Sequence, residues 1–415
     1  MGLFSKLFSE KKPKIDDSLS TSRSIFWGGS TSGVYVNETT AMQTAAVYAC
    51  VKVISEAIAS LPIHIYRHQE NGARVVPNHP LNRLLRIAPN RDMTSFVLFE
   101  TIMGHLLIYG NAYVQILRDG AGRVTALYPL LPDKMDIFRD DKTREIYYTY
   151  WRDTDEIQRG EKSGGVILQR ENVLHIPGLS FDGMKGYSPI ALARNAVGIA
   201  IATENYGASF FANGSNPSGV LEHPGSIKKP EALRDAWEAI HKGAGKTNKI
   251  AVLEDGMKYH TISISPNEAQ FLETRKFQLN EIARIFRVPP HMIGDLEKSS
   301  FSNIEQQSLE FVKYCVNPWV VRLEQAMSQN LLAPAEQDDL YIKFNLDGLL
   351  RGDYETRMKG YSIGIQHGFM SPNDIRRLEN MLEIPDELGG NKYMVNGNMI
   401  ELIDVGKQWG GDDNA

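Results

Sequence analysis

Apolar residues recur with a helical period from Ala45 to Ser60. Val47, Val51, Ile54 and Ile58 share one face, and Leu61-Pro62 closes the element before a strand-like Ile63 to Tyr66. A second helix is predicted from about Thr94, with Phe96, Phe99, Ile102, Met103 and Leu106 on one face and a stop near Gly110. The period then changes to two. Ala112, Val114 and Ile116 share a face, Asp119-Gly120 turns the chain, and Val124 to Tyr128 returns as a hairpin. Between Asp133 and Pro177 lie three further strand candidates, Ile146 to Trp151, Val166 to Leu168 and Val173 to Ile176, separated by charged loops. They make a small β-rich insertion.

Ser188-Pro189 opens the next helix with a Ser N-cap and Pro at the first helical position, and the pattern runs to about Ala212. Its many Ala and Gly residues, among them Ala196, Gly198, Ala200 and Gly207, leave a smooth surface that a neighbouring helix can approach closely. Breaks at Asn213 to Pro217 and Glu222 to Pro230 precede a helix from Glu231 to His241. Ser265-Pro266-Asn267-Glu268 is a capping box for a helix carrying Leu272, Leu279, Ile282 and Phe286, which Val288-Pro289-Pro290 stops. Ser302-Asn303-Ile304-Glu305 starts a long helix through Leu309, Val312, Val316, Trp319, Leu323 and Met327, with a kink expected at Pro318. Ser371-Pro372-Asn373-Asp374 opens a last helix through Leu378 and Leu382.

The pattern therefore describes an α+β protein, and composition narrows its class. A chain of 415 residues, 42% apolar and 23% charged, buries a sizeable core and divides into two or more packed units. With 45 Lys+Arg against 50 Asp+Glu the formal charge is −5, which argues against a surface built to grip nucleic acid tightly. Cys50 and Cys315 each lie in an apolar helical stretch without metal-ligand or C-x-x-C spacing, and read as buried thiols of a reducing compartment. No run of eighteen apolar residues occurs, so no membrane partner is expected. Residues Ser9 to about Thr39 are polar, with Ile25-Phe26-Trp27 as the main apolar anchor, and read as an arm or linker. The start, Met1 to Phe8, is basic and amphipathic, fitting a tail or a docking segment. It fails the myristoylation pattern because Lys6 stands where Ser or Thr is required.

Candidate chemistry adds little. Gly243-Ala244-Gly245-Lys246-Thr247 looks like the end of a phosphate-binding loop, but Ile240 occupies the position of the earlier glycine whose backbone would wrap the phosphates. A helix precedes this segment and a strand-like Lys249 to Leu253 follows, the reverse of the required order. Arg351-Gly352-Asp353 reads as a helix start. His64, His68 and His79 have no metal-ligand company and read as surface or loop residues. No nucleophile elbow or dinucleotide fingerprint occurs, so neither a catalytic residue nor a metal or cofactor site is expected.

Several blocks nonetheless resemble one family. Ala46-Val47-Tyr48-Ala49-Cys50-Val51 with Ile54 and Leu61-Pro62, then His79-Pro80-Leu81 and Leu84-Leu85, are similar to the opening of portal proteins of siphophages and prophages. Gly110-Asn111-Ala112-Tyr113 leading to Leu127-Tyr128-Pro129-Leu130, and Tyr187-Ser188-Pro189-Ile190, resemble the same family. Phe271 to Lys276 followed by Ile282 to Phe286, Val288-Pro289-Pro290 and Ile293-Gly294 is the most specific stretch. Leu349 to Asp353, Arg357 and Gly368 complete it. Asn373-Asp374, where the family favours Asn-Glu, and Gly389-Gly390-Asn391, where an Asp commonly ends the pattern, are departures.

The resemblance implies a portal-protein fold with long stem and wing helices, a small β-rich clip and a helical C-terminal crown. Placed on this chain, it divides residues 1–40 as an arm, 41–132 as the first part of the wing and 133–177 as the clip. It continues with 178–221 as stem, 222–230 as tunnel loop, 231–333 as second wing part and 334–415 as crown and tail. It also implies a homo-oligomeric ring, usually dodecameric, at one capsid vertex of the virion, assembled in the host cytoplasm. The ring passes double-stranded DNA without reading its sequence and meets large terminase, a head-tail adaptor and the major capsid and scaffold proteins. Lys228 and Lys229 are the candidates for sparse phosphate contacts in the channel, with solvated surface lysines as the alternative. A P-loop-like ATPase and another virion shell or connector protein are the competing classes.

Overall fold

A computed structural model describes residues 30–70, 72–151, 165–212, 219–225, 256–261, 268–297, 301–346, 354–379 and 381–394, with the isolated positions 231, 235, 253 and 349. The chain divides into two compact units, Met1–Asn345 and Leu346–Ala415.

The first unit starts with α1 (Glu38–Met42), closed by a reciprocal Asn37–Thr40 capping box, and α2 (Ala45–Ala59). Val47, Val51, Ile54 and Ile58 of α2 are all buried, as their spacing predicts. β1 (Ile63–Gln69) and β2 (Gly72–Val75) pair antiparallel, and α3 (Leu81–Arg86) leads to α4 (Ser95–Tyr109). The Thr94 hydroxyl accepts from the Val97 N–H at the start of α4, and Gly110 ends it in the left-handed region at φ 75°. Phe99, Ile102, Met103 and Leu106 are buried against α2, but Phe96 is 41% exposed and Leu98 takes its place inside. Phe96 lies one residue into the helix, ahead of the stripe that meets α2.

β3 (Asn111–Arg118) and β4 (Val124–Leu130) form the expected hairpin, with Asp119 accepting from the N–H groups of Ala121 and Arg123 in the turn. The insertion then splits between two sheets. β5 (Met135–Arg139), β6 (Ile146–Tyr150) and β7 (Val166–Gln169) pair with one another, whereas β8 (Val173–Pro177) leaves them and pairs with β3. Tyr113, Leu130, Met135, Tyr148 and Val173 form the core between the two sheets, with the Tyr113 and Tyr148 rings edge-on at 6.0 Å.

The Ser188 hydroxyl caps the next helix as read from sequence, accepting from the Ala191 N–H, but Ala193 interrupts it. The result is a short α5 (Pro189–Leu192) and a longer α6 (Arg194–Ala212). The smooth face of α6 is spent within the chain: a Cβ on Gly207 would stand 2.8 Å from the Phe271 ring. β9 (Gly219–Glu222) and β10 (Lys258–Thr261) pair antiparallel. α7 (Glu268–Phe286) buries Ile282 and Phe286, while Leu272 is 55% exposed. α8 (Phe301–Glu310), a π-helical turn over Phe311–Val316 and α9 (Asn317–Leu331) follow in one run. The irregularity expected at Pro318 is thus the π turn just ahead of it.

β11 (Leu340–Phe344) pairs antiparallel with β1, and Phe344 meets Phe99 edge-on at 5.3 Å. This strand has no counterpart in the sequence reading, and it keeps residues up to Asn345 in the first unit. His64 and His68 lie on β1, where His68 is exposed at the surface as read but the His64 Nδ1 is buried, and His79 Nε2 stands 3.3 Å from Glu336 Oε1.

The second unit contains α10 (Tyr354–Gln366) and α11 (Pro372–Leu378). α11 opens on the expected Ser371–Asp374 capping box and stops at Leu378, so that Leu382 is 88% exposed outside the helix. Asn373 is fully buried; its amide donates to Ile384 O and Asn391 Oδ1 and accepts from the Ile384 N–H. The side-chain oxygen at position 391 serves as an acceptor, a role an Asp there fills equally.

Candidate functional site at a glycine-lined joint

The joint is built where α4 runs into β3. Gly110 adopts φ 75°, and a Cβ there would stand 2.1 Å from Tyr187 O. A Cβ on Gly186 would stand 2.0 Å from Gly110 O, which also accepts from the Gly178 N–H at 2.7 Å. Three backbone segments therefore touch without side chains between them. The Asn111 amide bonds Gly186 at both ends, donating to its carbonyl and accepting from its N–H, each at 2.8 Å. Ser188 Oγ donates to Ile108 O at 2.6 Å while capping α5.

Charge and aromatic contacts lock the same place. Arg322 of α9 donates to Pro177 O at 2.6 Å and Gly178 O at 3.0 Å, as charge-assisted bonds. His175 stacks on Tyr113 at 4.5 Å, and because Asn111 Oδ1 is fixed as an acceptor by Gly186, His175 Nε2 donates to it at 3.2 Å. Nδ1 is left to accept from the Tyr148 hydroxyl at 3.4 Å. Burial pushes the His175 pKa down to about 3, so the ring is neutral at physiological pH.

No nucleophile stands beside a base here, and among the described residues no group of three or more His, Cys, Asp or Glu is placed to hold a metal. Cys50 and Cys315 are buried, and desolvation raises both thiols to about 12, which keeps them unreactive. The joint is a mechanical element that fixes the roots of the β-rich insertion and of α5–α6 to the α4–β3 body.

Lys228 and Lys229 lie outside the described residues, as do Met1 to Gly29, Gly243 to Thr247 and Arg351 to Asp353. Of the segment 222–230 only its start is described. β9 ends at Glu222, whose carboxylate meets His260 Nε2 at 2.9 Å, and His223 Nδ1 accepts from the Gly225 N–H, turning the chain at Pro224-Gly225. Sequence reading named Gly110, Asn111, Tyr187 and Ser188 without showing that they meet. It missed His175, Gly178 and Arg322 altogether, since a lone histidine, glycine or arginine carries no periodic signal.

The family model described as phage portal protein matches residues 45–380. The chain belongs to the phage portal protein family. A probable portal protein of Streptomyces phage phiC31 is 36% identical over 380 residues, covering 89% of this chain and 81% of that protein. The portal protein of Enterobacteria phage HK97 is 34% identical over 377 residues, covering 89% and 86%. A chain from the neck of a native gene transfer agent particle, computed with C12 symmetry, shares the fold at a TM-score of 0.55 with 23% identity, covering 83% of this chain and 93% of that one. The chain is a structural portal subunit with an α+β portal fold, and the joint draws together two stretches that carry the resemblance, at Gly110–Tyr113 and Tyr187–Ile190. No helix among the described residues is long and apolar enough to cross a membrane.

Proposed function

We propose that this portal subunit closes into a ring, of twelve copies, at one vertex of a phage capsid and lines the channel through which double-stranded DNA is packaged and ejected. The observation that carries the reading is the family match over residues 45–380; the C12 symmetry of the gene transfer agent neck supports the subunit number. A head-to-tail contact repeated by a fixed rotation closes into a ring when that rotation divides the circle. We assign residues 41–132 and 231–333 to the wing, 133–177 to the clip, 178–221 to the stem, 222–230 to the tunnel loop and 334–415 to the crown and tail.

On this assignment the clip is the docking face for large terminase and the head-tail adaptor, and the glycine-lined joint holds clip and stem at a set angle while the motor works against them. Conduction is passive: terminase hydrolyses ATP, and this chain does not. A mildly acidic chain suits passage, because a strongly cationic channel binds phosphates and releases counterions at every step. Lys228 and Lys229 then give sparse contacts that guide the duplex without reading it.

Negative-stain images of the purified chain test the reading. Axial rings with a central hole are expected, and a chain that stays monomeric at high concentration and in capsid-assembly mixtures overturns it. ATP turnover by the pure protein that is lost in Lys246→Ala would restore the ATPase alternative.

A further inference from the structure

Between α5–α6 on one side and the π turn with α9 on the other runs an open apolar groove of about 680 Å3, lined by Leu107, Leu179, Leu192, Ile285, Tyr314 and Trp319 among others. Leu179 is 63% exposed, Leu192 54% and Tyr314 55%, so the described residues leave its apolar walls uncovered. Its size falls in the range of about 300–1,000 Å3 that takes a compact apolar ligand.

The described chain begins at one edge of this groove. Ser30 is buried against α6, where a Cβ on Gly198 would stand 2.6 Å from its side chain, and the Thr31 N–H donates to Asn195 Oδ1 at 3.2 Å. Asn195 and its neighbour Ala196 line the groove. Immediately upstream of Ser30 the sequence reads Ile25-Phe26-Trp27-Gly28-Gly29, the main apolar cluster of an otherwise polar arm. At up to about 3.4 Å per residue, Trp27 reaches no more than about 10 Å from Ser30 and Ile25 no more than about 17 Å. The two glycines permit a reversal that other residues resist.

We propose that Ile25-Phe26-Trp27 folds back and seats in this groove on its own chain, clamping the arm over α5–α6. The alternative occupant, the same cluster from a second copy, is disfavoured by the tether: with Ser30 and Thr31 already fixed on α6, a chain's own cluster faces the groove at millimolar effective concentration. Covering Leu179, Leu192 and Tyr314 removes apolar surface that water otherwise wets. The proposal does not rest on ring formation and holds for the subunit in any assembly.

The test uses the full chain with Trp27 replaced by benzoylphenylalanine, expressed in light and heavy isotopic forms that are mixed before irradiation. The expected result is crosslinking to residues of α5–α6 or of 314–322, with both peptides from chains of the same isotope. Crosslinks that join light to heavy chains, that fall elsewhere on the surface, or that do not form all overturn it, the first by placing a second copy in the groove. In a second variant, Leu192→Asp, whose side chain is largely exposed and outside the core, the yield should fall about tenfold. An unchanged yield overturns the proposal as well.

Discussion

The guanidinium of Arg287 donates to the carbonyl oxygen of Tyr314 at 3.4 Å, inside the π turn that stands just ahead of Pro318. The Phe311–Val316 π turn places the stretch where α7 ends, and Cys315 Sγ approaches Phe286 O there at 3.3 Å. Arg287 itself sits at φ 58°, a left-handed position that glycine usually fills at a helix end; its neighbour Val288 donates back to Ala283 O. The side chain's bond and the backbone's strain therefore oppose each other. Arg287→Ala should destabilise by about 1 kcal/mol, because it loses the bond and keeps the strain, while Arg287→Gly should recover most of that loss. Urea midpoints of the two variants check this, and an alanine variant as stable as the glycine one contradicts the strain argument.

At the joint, Gly110→Ala and Gly186→Ala each drive a Cβ into backbone at about 2 Å, with nothing flexible to yield. Gly110 also holds a left-handed φ. Each substitution should cost about 3 kcal/mol or more, whereas Gly104→Ala in α4, where a Cβ meets nothing within 4 Å, should be neutral or stabilising. Thermal denaturation of the three variants separates the cases.

Acid should weaken the fold before carboxylates titrate. His175 and His105 are buried, with pKa values pushed down to about 3 and about 4, while the unfolded chain holds histidines near 6.5. Between pH 6.5 and 4 the unfolded state binds protons that the folded state refuses, so stability falls as pH falls, approaching two protons per chain from these groups. That is about 2.7 kcal/mol per pH unit at the steepest point. His175→Gln keeps a donor for Asn111 and removes one titrating group, so the slope of unfolding free energy against pH should drop by about one proton. An unchanged slope would show that His175 is protonated in the fold.

Shortening His223 to Lys229 should leave rings intact and impair DNA packaging or retention, since the cut follows the β9 pairing and removes no residue of α7, α8 or α9. Loss of rings would make the segment structural. Normal packaging and retention together would remove Lys228 and Lys229 from the channel.

Sequence alone determined the elements whose cause is local. The α2 stripe, the Thr94 and Ser188 caps, the Gly110 stop, the β3–β4 hairpin and the Ser371–Asp374 box each follow from residues within a few positions, and the α2, Gly110–Leu130 and Tyr187–Ile190 stretches among them also carried the family resemblance. What the tertiary structure decided is which distant segments meet. Val173 to Ile176 alternates like its neighbours in the insertion yet pairs with β3, and Leu340–Phe344 is a strand because β1 offers it an edge. Alternation specifies which face of a strand is buried but not which strand lies beside it. The joint shows the same limit most sharply. Gly178, Gly186, His175 and Arg322 matter through backbone approaches and hydrogen bonds to residues up to 145 positions away, and a contact of that kind leaves no period in the chain that makes it.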